Sequence, residues 1–381
     1  MPTPHHADFL IIGSGIAAAS VGYWLAAHGR VVLLERESQP GYHSTGRSAA
    51  MFMESYGTPQ VRALTRASRA FFEQPPAGFT EHPILTPRGA LIVASPGQED
   101  LLEQEWQALH AMSPDALRLD AAQTCAMLPV LRPDQVLGAV YEGDAADMDV
   151  HALHQGFLRG ARQQGGQLVC DAEVQSLQHD GTNWQVQAGG QNYSARVVIN
   201  AAGAWCDEIA AMAGATPIGL VPKRRSAFVF APSAQLDCAR WPMAIAVDET
   251  WYLKPDAGQL LGSCANADPV PPQDVQPEEL DIATGIWRIE EMTTLQILRP
   301  SRSWAGLRSF VEDGDLVGGF DHRAPNFFWI AAQGGYGIQT SAAMGQACAA
   351  LVRGVPLPDS LTAFGITAEL LSPERLSERT S

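Results

Sequence analysis

The feature that most constrains the fold lies near the start of the chain. Phe9-Leu10-Ile11-Ile12 has no polar residue, Gly13-Ser14-Gly15-Ile16-Ala17-Ala18 follows without a gap, and Val31-Val32-Leu33-Leu34 leads into Glu35. Such short apolar runs suit strands buried on both faces of a parallel sheet. Between them the pattern predicts a helix that opens at Ile16-Ala17 and ends near His28-Gly29. Gly13 permits a tight turn, Gly15 lets a pyrophosphate approach the backbone, and Ala18 is small enough for helix and strand to pack closely. The helix start aims unpaired amides and a partial positive charge at the phosphates. Glu35, twenty positions after Gly15 and followed by Arg36, can accept hydrogen bonds from both hydroxyls of an adenosine ribose, which argues against a 2′-phosphate.

With 381 residues, 46% of them hydrophobic and 17% charged, the chain can bury a large core and is expected to form two domains. A formal charge of −16 leaves no basic surface for nucleic acid or an anionic membrane. The six cysteines are scattered without a CxxC pair, so buried thiols in a cytoplasmic protein are expected and no metal site. Glycines interrupt the apolar stretch Phe9–Ala27 and Asp8 precedes it, so neither a membrane span nor a signal peptide is expected there.

The fingerprint serves NAD and FAD alike, but three later segments point to a flavin. Ser44, Thr45, Gly46, Arg47, Ser48 and Ala49 follow the second strand with groups suited to line a long dinucleotide, and Ser48 is placed to cap the next helix. The strand Ala195–Asn200 passes through a small-residue turn containing Ala202 and Gly203 into a helix beginning near Trp205. Phe327-Phe328-Trp329-Ile330 is followed by Gly334-Gly335-Tyr336-Gly337-Ile338-Gln339-Thr340 and an Ala-rich helix, a turn that can set amides beside the flavin pyrimidine edge. No second glycine fingerprint for a nicotinamide nucleotide follows. Ala227–Phe230, Trp251–Leu253 and Gln259–Gly262 read as strands, Leu153–Arg162 as a helix, and Asp268–Pro277 as a loop.

The fingerprint Asp8–Glu35, the segments Ala201–Trp205 and Trp304–Arg308, and the turn Gly334–Thr340 together resemble the D-amino acid oxidase superfamily of FAD-dependent amine oxidoreductases. Within it, Gly41–Ala50, Tyr56–Gln60, Pro222–Phe228, Tyr252–Asp256 and Gly334–Thr340 are most similar to bacterial D-arginine dehydrogenases. The resemblance implies an α/β fold in which a Rossmann-type FAD-binding domain (1–81, 146–218 and 315–381) is interleaved with an α+β substrate domain built on an antiparallel sheet (82–145 and 219–314). It also implies that backbone groups of Val174 meet the adenine. Non-covalent FAD is expected, because the closing turn holds no cysteine or histidine.

An amino-acid substrate needs its carboxylate held, and a guanidinium fork suits that. Arg308 stands in an otherwise apolar segment, where a charge must be paired or reach a cavity. In Lys223-Arg224-Arg225 strand parity alone does not say which side chain faces a ligand, and the resemblance favours Arg225. It places the Tyr252 phenol at the carboxylate. Tyr56, followed by a Gly-Thr-Pro turn, fits a mobile lid, although an ordinary half-buried tyrosine reads the same; in the closing turn of Gly335 and Gln339 a backbone carbonyl can bind the substrate amine, and the Gln339 side chain reads equally as a ligand contact or as a solvated or helix-capping amide. A neutral amine on Cα can drive hydride transfer from Cα to flavin N5, so no catalytic base is required; the imino acid hydrolyses to a 2-oxo acid and ammonia. His43 and His151 are expected to be structural. The D-arginine dehydrogenases carry polar groups where this chain has Met51, Met53 and Ala90; with Trp251 these are the expected side-chain pocket. A D-amino acid dehydrogenase with broad or apolar preference and an unidentified electron acceptor is therefore expected. Oxidation by oxygen, and oxidation of N-methyl amino acids, glycine or 2-hydroxy acids, are the alternatives.

Overall fold

The computed structural model describes residues 4–113 and 116–377; the remaining residues of the expected domain segments lie outside it. In chain order the elements that matter for the site are strand β1 (His5–Ile12), helix α1 (Ile16–Leu25), strand β2 (Val31–Leu34), helix α2 (Pro59–Glu73), strands β3 (Ala90–Ala94) and β4 (Gly138–Glu142), and helix α3 (Val150–Gln163). They are followed by strands β5 (Gln191–Asn200), β6 (Val221–Phe230), β7 (Met243–Ala246), β8 (Tyr252–Asp256), β9 (Gln259–Ser263), β10 (Arg302–Phe310) and β11 (Phe327–Ala331), and by helix α4 (Ser341–Val352).

Two large mixed sheets organise the chain. In the first, β1 lies parallel between β2 and β5, β2 continues to Gln167–Val169, and β11 runs parallel to the C-terminal end of β5. Its apolar strands are covered on both faces, as their uninterrupted hydrophobic runs require. In the second sheet β6 is flanked by β9 and β10, and the order continues through β8, β7, β3 and β4 to Leu117–Asp120. This sheet is antiparallel except where β7 runs parallel to β3, a departure from the expected all-antiparallel pattern. A small third sheet pairs Ala146–Met148 with Met51–Phe52 and Leu85–Pro87.

The local readings differ mainly at element ends. Ser48 caps no helix: its backbone is extended, and Thr58 caps α2 through its side chain. The expected loop Asp268–Pro277 begins with two residues, Asp268 and Pro269, paired to β6. Trp251 precedes β8 rather than starting it.

Helix α1 is buried around most of its circumference, between the first sheet and α4. Small residues allow this close packing. A Cβ at Gly345 of α4 would lie 2.7 Å from Ser20 Oγ and 2.8 Å from the Ser20 backbone, so the two helices touch through bare backbone. Helix α3 instead presents one buried face, with Phe157 stacked on Phe71 at 5.5 Å and His154 turned toward the fingerprint. Gly345→Val is expected to push α4 off α1 and to destabilise the protein by about 1–3 kcal/mol. Urea unfolding followed by circular dichroism measures this, and an unchanged midpoint would mean that the helix contact is not close.

Candidate active site

A deep cleft begins at the C-terminal ends of β1 and β2, where ligands of open α/β sheets bind. Gly13, Gly15, Ile16, Ala17, Glu35, Arg36, Val174, Ala202, Gly203 and Trp205 all line it. Gly13 has a φ of +103°, and a Cβ there would sit 2.5 Å from the Ala201 carbonyl oxygen, so only glycine fits between β1 and the turn after β5. At Gly15 a Cβ would meet only Thr45 Oγ1, at 3.2 Å, so its other side is open to the cleft.

The fingerprint turn is held by a polar network. Glu35 is 7% exposed; one of its oxygens accepts from Ser14 N (3.0 Å) and Ser14 Oγ (2.6 Å), and the other from Glu37 N (3.0 Å). A carboxylate has about four lone-pair sites, so Glu35 retains acceptor capacity toward the cleft. His154 donates through Nε2 to the Ser14 carbonyl at 2.7 Å, and burial pushes its pKa down, which keeps the ring neutral. Thr45 Oγ1 accepts from Ile16 N at 3.0 Å, replacing the cap that Gly15 cannot supply. At the outer end the Arg36 guanidinium lies 4.9 Å from the centre of the Trp205 ring and pairs with Glu173.

The cleft continues along Ser44, Thr45, Gln333 and Gly334 into a second chamber. Ser48, Ala49, Gly337 and Ile338 form part of its wall. Arg47 also borders it, but its guanidinium is turned to the carbonyls of Val275 and Ala305 and to Asp274, so it fastens the wall. Gln333 Oε1 is buried without a hydrogen-bond partner among the described residues, an acceptor left for a donor that enters the cleft. A ribose-facing carboxylate, an open glycine turn at a helix start and an orphaned acceptor further in fit an extended dinucleotide.

A third, smaller chamber adjoins the second, sharing with it Arg225, Tyr252, Arg308 and Gly335. On the β6–β10 ladder Arg225 is opposite Gly306, so Arg225 and Arg308 stand diagonally on one face. Arg224 points the other way, where Asp281, Glu278 and Asp268 neutralise it. Parity thus separates one arginine built into the sheet from one facing the chamber. Neither Arg225 nor Arg308 has a carboxylate partner among the described residues: Arg225 Nε donates to the Asn266 carbonyl at 2.6 Å and Arg308 Nη1 to Tyr56 Oη at 3.3 Å. Burial and the neighbouring charge of Arg308 lower the pKa of Arg225, although a guanidinium stays protonated. The chamber therefore carries two positive charges that no carboxylate of the described residues pairs with.

Gly335 permits this arrangement. A Cβ there would lie 2.8 Å from Arg308 Cζ, and Gly334 N donates to the Ser309 carbonyl at 2.9 Å, tying the closing turn to β10. Away from the arginines the chamber is walled by Met51, Met53, Met243 and Ile245.

Several expected positions lie elsewhere. Ala90 is fully buried in the sheet, with Met243 as its register partner on β7, and lines none of the three chambers. Trp251 packs into the core on the opposite side of β8 from Tyr252. Ala18, Gly46, Tyr336 and Thr340 support the walls without lining them: Gly46 N donates to the Gly41 carbonyl at 2.8 Å, the Tyr336 ring packs on Tyr56 at 5.1 Å, and Thr340 Oγ1 bonds the Tyr336 carbonyl. Gln339 borders the third chamber, but its amide is engaged with Met53 and Thr65. His43 is bonded to a carboxylate, that of Glu37, at 2.9 Å. Gln333, Met243 and His154 were missed; only His154 left a trace, as a polar residue on the apolar face of a predicted helix. Among the described residues no His, Cys, Asp or Glu cluster is placed to hold a metal, and no helix is long and apolar enough to cross a membrane.

Over residues 8–351 the sequence matches the DAO family, described as FAD dependent oxidoreductase. It is 23% identical over 412 residues to FAD-dependent oxidoreductase domain-containing protein 1 of Bos taurus, covering 92% of this chain and 82% of that protein. The fold is shared with glycine oxidase from Geobacillus kaustophilus, with a TM-score of 0.82, 21% identity and coverage of 96% of this chain and 99% of that one. It is shared also with L-proline dehydrogenase from P.horikoshii, with a TM-score of 0.84, 19% identity and coverage of 99% of both chains. The chain belongs to the DAO family of FAD-dependent oxidoreductases, and FAD is its cofactor.

Proposed function

We propose that this enzyme oxidatively deaminates D-amino acids with apolar side chains, acting as a dehydrogenase. The observation that carries the reading is the pair of unneutralised guanidiniums, Arg225 and Arg308, in a chamber that adjoins the dinucleotide cleft and has an apolar wall of Met51, Met53, Met243 and Ile245. A substrate carboxylate supplies the missing anion, and two forks fix both of its oxygens. The Tyr252 hydroxyl, which makes no hydrogen bond among the described residues, and that of Tyr56 complete the clamp. With the carboxylate held, Cα and its amine are oriented for oxidation, and the Gly335 carbonyl serves as an acceptor for an amine N–H.

Glu35, the Gly13–Ala17 turn, Thr45, Val174 and Gln333 would hold the FAD, without a covalent link. When bound it supplies the two-electron acceptor for oxidation of the Cα–N bond. The substrate loses hydride from Cα and a proton from nitrogen, and the imino acid takes up water to give a 2-oxo acid and ammonia. The lone pair of an unprotonated amine drives the step, so no side chain is assigned as base. The apolar walls exclude water from the reacting carbon.

The D configuration rests on the resemblance of Tyr56–Gln60, Tyr252–Asp256 and Gly334–Thr340 to D-arginine dehydrogenases. The side-chain preference rests on Met51, Met53, Met243 and Ile245. An apolar substituent gains burial at about 25 cal/mol per Å² there, methionines adapt to several shapes, and a guanidinium would lose hydration without a partner. The names of the similar glycine oxidase and L-proline dehydrogenase support a second reading, in which a small or secondary amine takes the same clamp.

Steady-state kinetics with an artificial dye and with oxygen, on both enantiomers of an amino-acid panel plus N-methyl amino acids, tests the reading. D-Leucine, D-methionine or D-phenylalanine is expected to show a higher kcat/KM than D-arginine or D-lysine, with ammonia released; preference for an L-enantiomer, or turnover only of secondary amines, would overturn it. Arg225→Met and Arg308→Met are each expected to lower kcat/KM by roughly ten- to a hundredfold or more while FAD content stays unchanged. Arg224→Met is expected to lower stability instead. Near-normal kcat/KM in both chamber variants would remove the clamp.

A further inference from the structure

Glu142, at the end of β4, is 4% exposed and has no cationic partner among the described residues. All its side-chain partners belong to one short turn. Oε1 accepts from Glu54 N at 2.7 Å and Oε2 from Ser55 Oγ at 2.5 Å. Burial raises its pKa, and these donors are what favour its charge.

The same turn is held at its other residues. The Gln339 amide accepts from Met53 N at 3.3 Å, and Arg69 of α2 bonds the Glu54 carboxylate at 2.5 Å. Beyond it, a Cβ at Gly57 would lie 2.7 Å from Val61, and Thr58 is committed to capping α2. Between these fixed points stands Tyr56, partly exposed, whose hydroxyl makes only long bonds, 3.3 Å from Arg308 and 3.4 Å to Glu249. A backbone pinned on both sides with one loosely bonded ring between is poorly suited to open as a loop.

We propose that Glu142 is a positioning residue for the active site: its carboxylate fixes the Met53–Tyr56 backbone so that access to the substrate chamber is governed by rotation of the Tyr56 ring alone. The inference rests on the reading that Tyr56 closes over the substrate. Removing the carboxylate leaves donors of Glu54 and Ser55 unsatisfied and lets the turn, with its ring, drift from Arg308.

The test is a double-mutant cycle on the FAD-loaded enzyme, with kcat and KM for its best amino acid and hydrogen exchange at the 54–56 amides as readouts. Glu142→Ala is expected to lower kcat/KM by roughly tenfold, chiefly through KM, and to speed exchange at those amides. In a Tyr56→Ala background the same change is expected to alter kcat/KM by less than about twofold, since the ring it positions is gone. Glu142→Gln is expected to restore most of the loss, because its oxygen accepts from Glu54 N while its amide donates to Ser55 Oγ. Should Glu142→Ala not fold, Ser55→Ala removes one partner and is expected to show the same background dependence at smaller size. An equal penalty in both backgrounds, or unchanged exchange at 54–56, would overturn the inference. If Tyr56→Ala alone leaves kcat/KM unchanged, the lid reading falls and takes the gating with it, while the exchange data still report whether Glu142 anchors the turn.

Discussion

Two like charges in one enclosed chamber repel, and each loses hydration on leaving bulk water. Arg225 and Arg308 are nevertheless set on the same face of one ladder, without a carboxylate partner among the described residues. Their neighbour Arg224, one residue away on the opposite face, has three. The fold can neutralise an arginine at this strand and does not do so at the chamber. An anion arriving from outside removes the penalty, and its two oxygens match the guanidinium forks. Much of the surrounding structure serves to maintain this exception: Gly335 gives up its side chain to let Arg308 approach, and the Gly334–Ser309 bond holds the closing turn against β10.

The dinucleotide end follows a different logic, since the side chains around its fingerprint turn are bonded to that turn before any ligand arrives. Ser14 links Glu35 to His154 through its amide, hydroxyl and carbonyl, and Thr45 takes the Ile16 amide at the helix start. The turn is thereby preorganised, so little ordering is left for binding. The two ends meet at Gln333 and Gly334, which border both the cleft and the inner chamber. Under the proposed reading, oxidation of a substrate bond needs that continuity, because the carboxylate clamp would deliver Cα to the inner end of the cofactor.

The cofactor end was the more legible part of the sequence because its determinants are local. A glycine at φ +103° against a backbone carbonyl, and an acidic residue closing a buried strand, leave marks in consecutive residues. The substrate end depends on which strands lie side by side. Parity could not separate Arg224 from Arg225 until the β6–β10 register was known, and Met243, which lines the chamber, is set beside Ala90 only by the parallel pairing of β7 with β3. Trp251 failed for the simplest reason: it stands just before β8 and packs into a different core cluster from its neighbour Tyr252. Glu142 is remote in sequence from the turn it holds, and nothing around it in the sequence pointed there.

The central claim is that the chamber is an anion site awaiting a carboxylate. Titration of the oxidised FAD-loaded enzyme with 4-methylpentanoate and with its amide, which share a shape and lack the reactive amine, tests it through the flavin absorbance spectrum. The carboxylate is expected to bind at least roughly tenfold more tightly than the amide, the share of one charge-assisted contact. Equal affinity for the two would contradict the account.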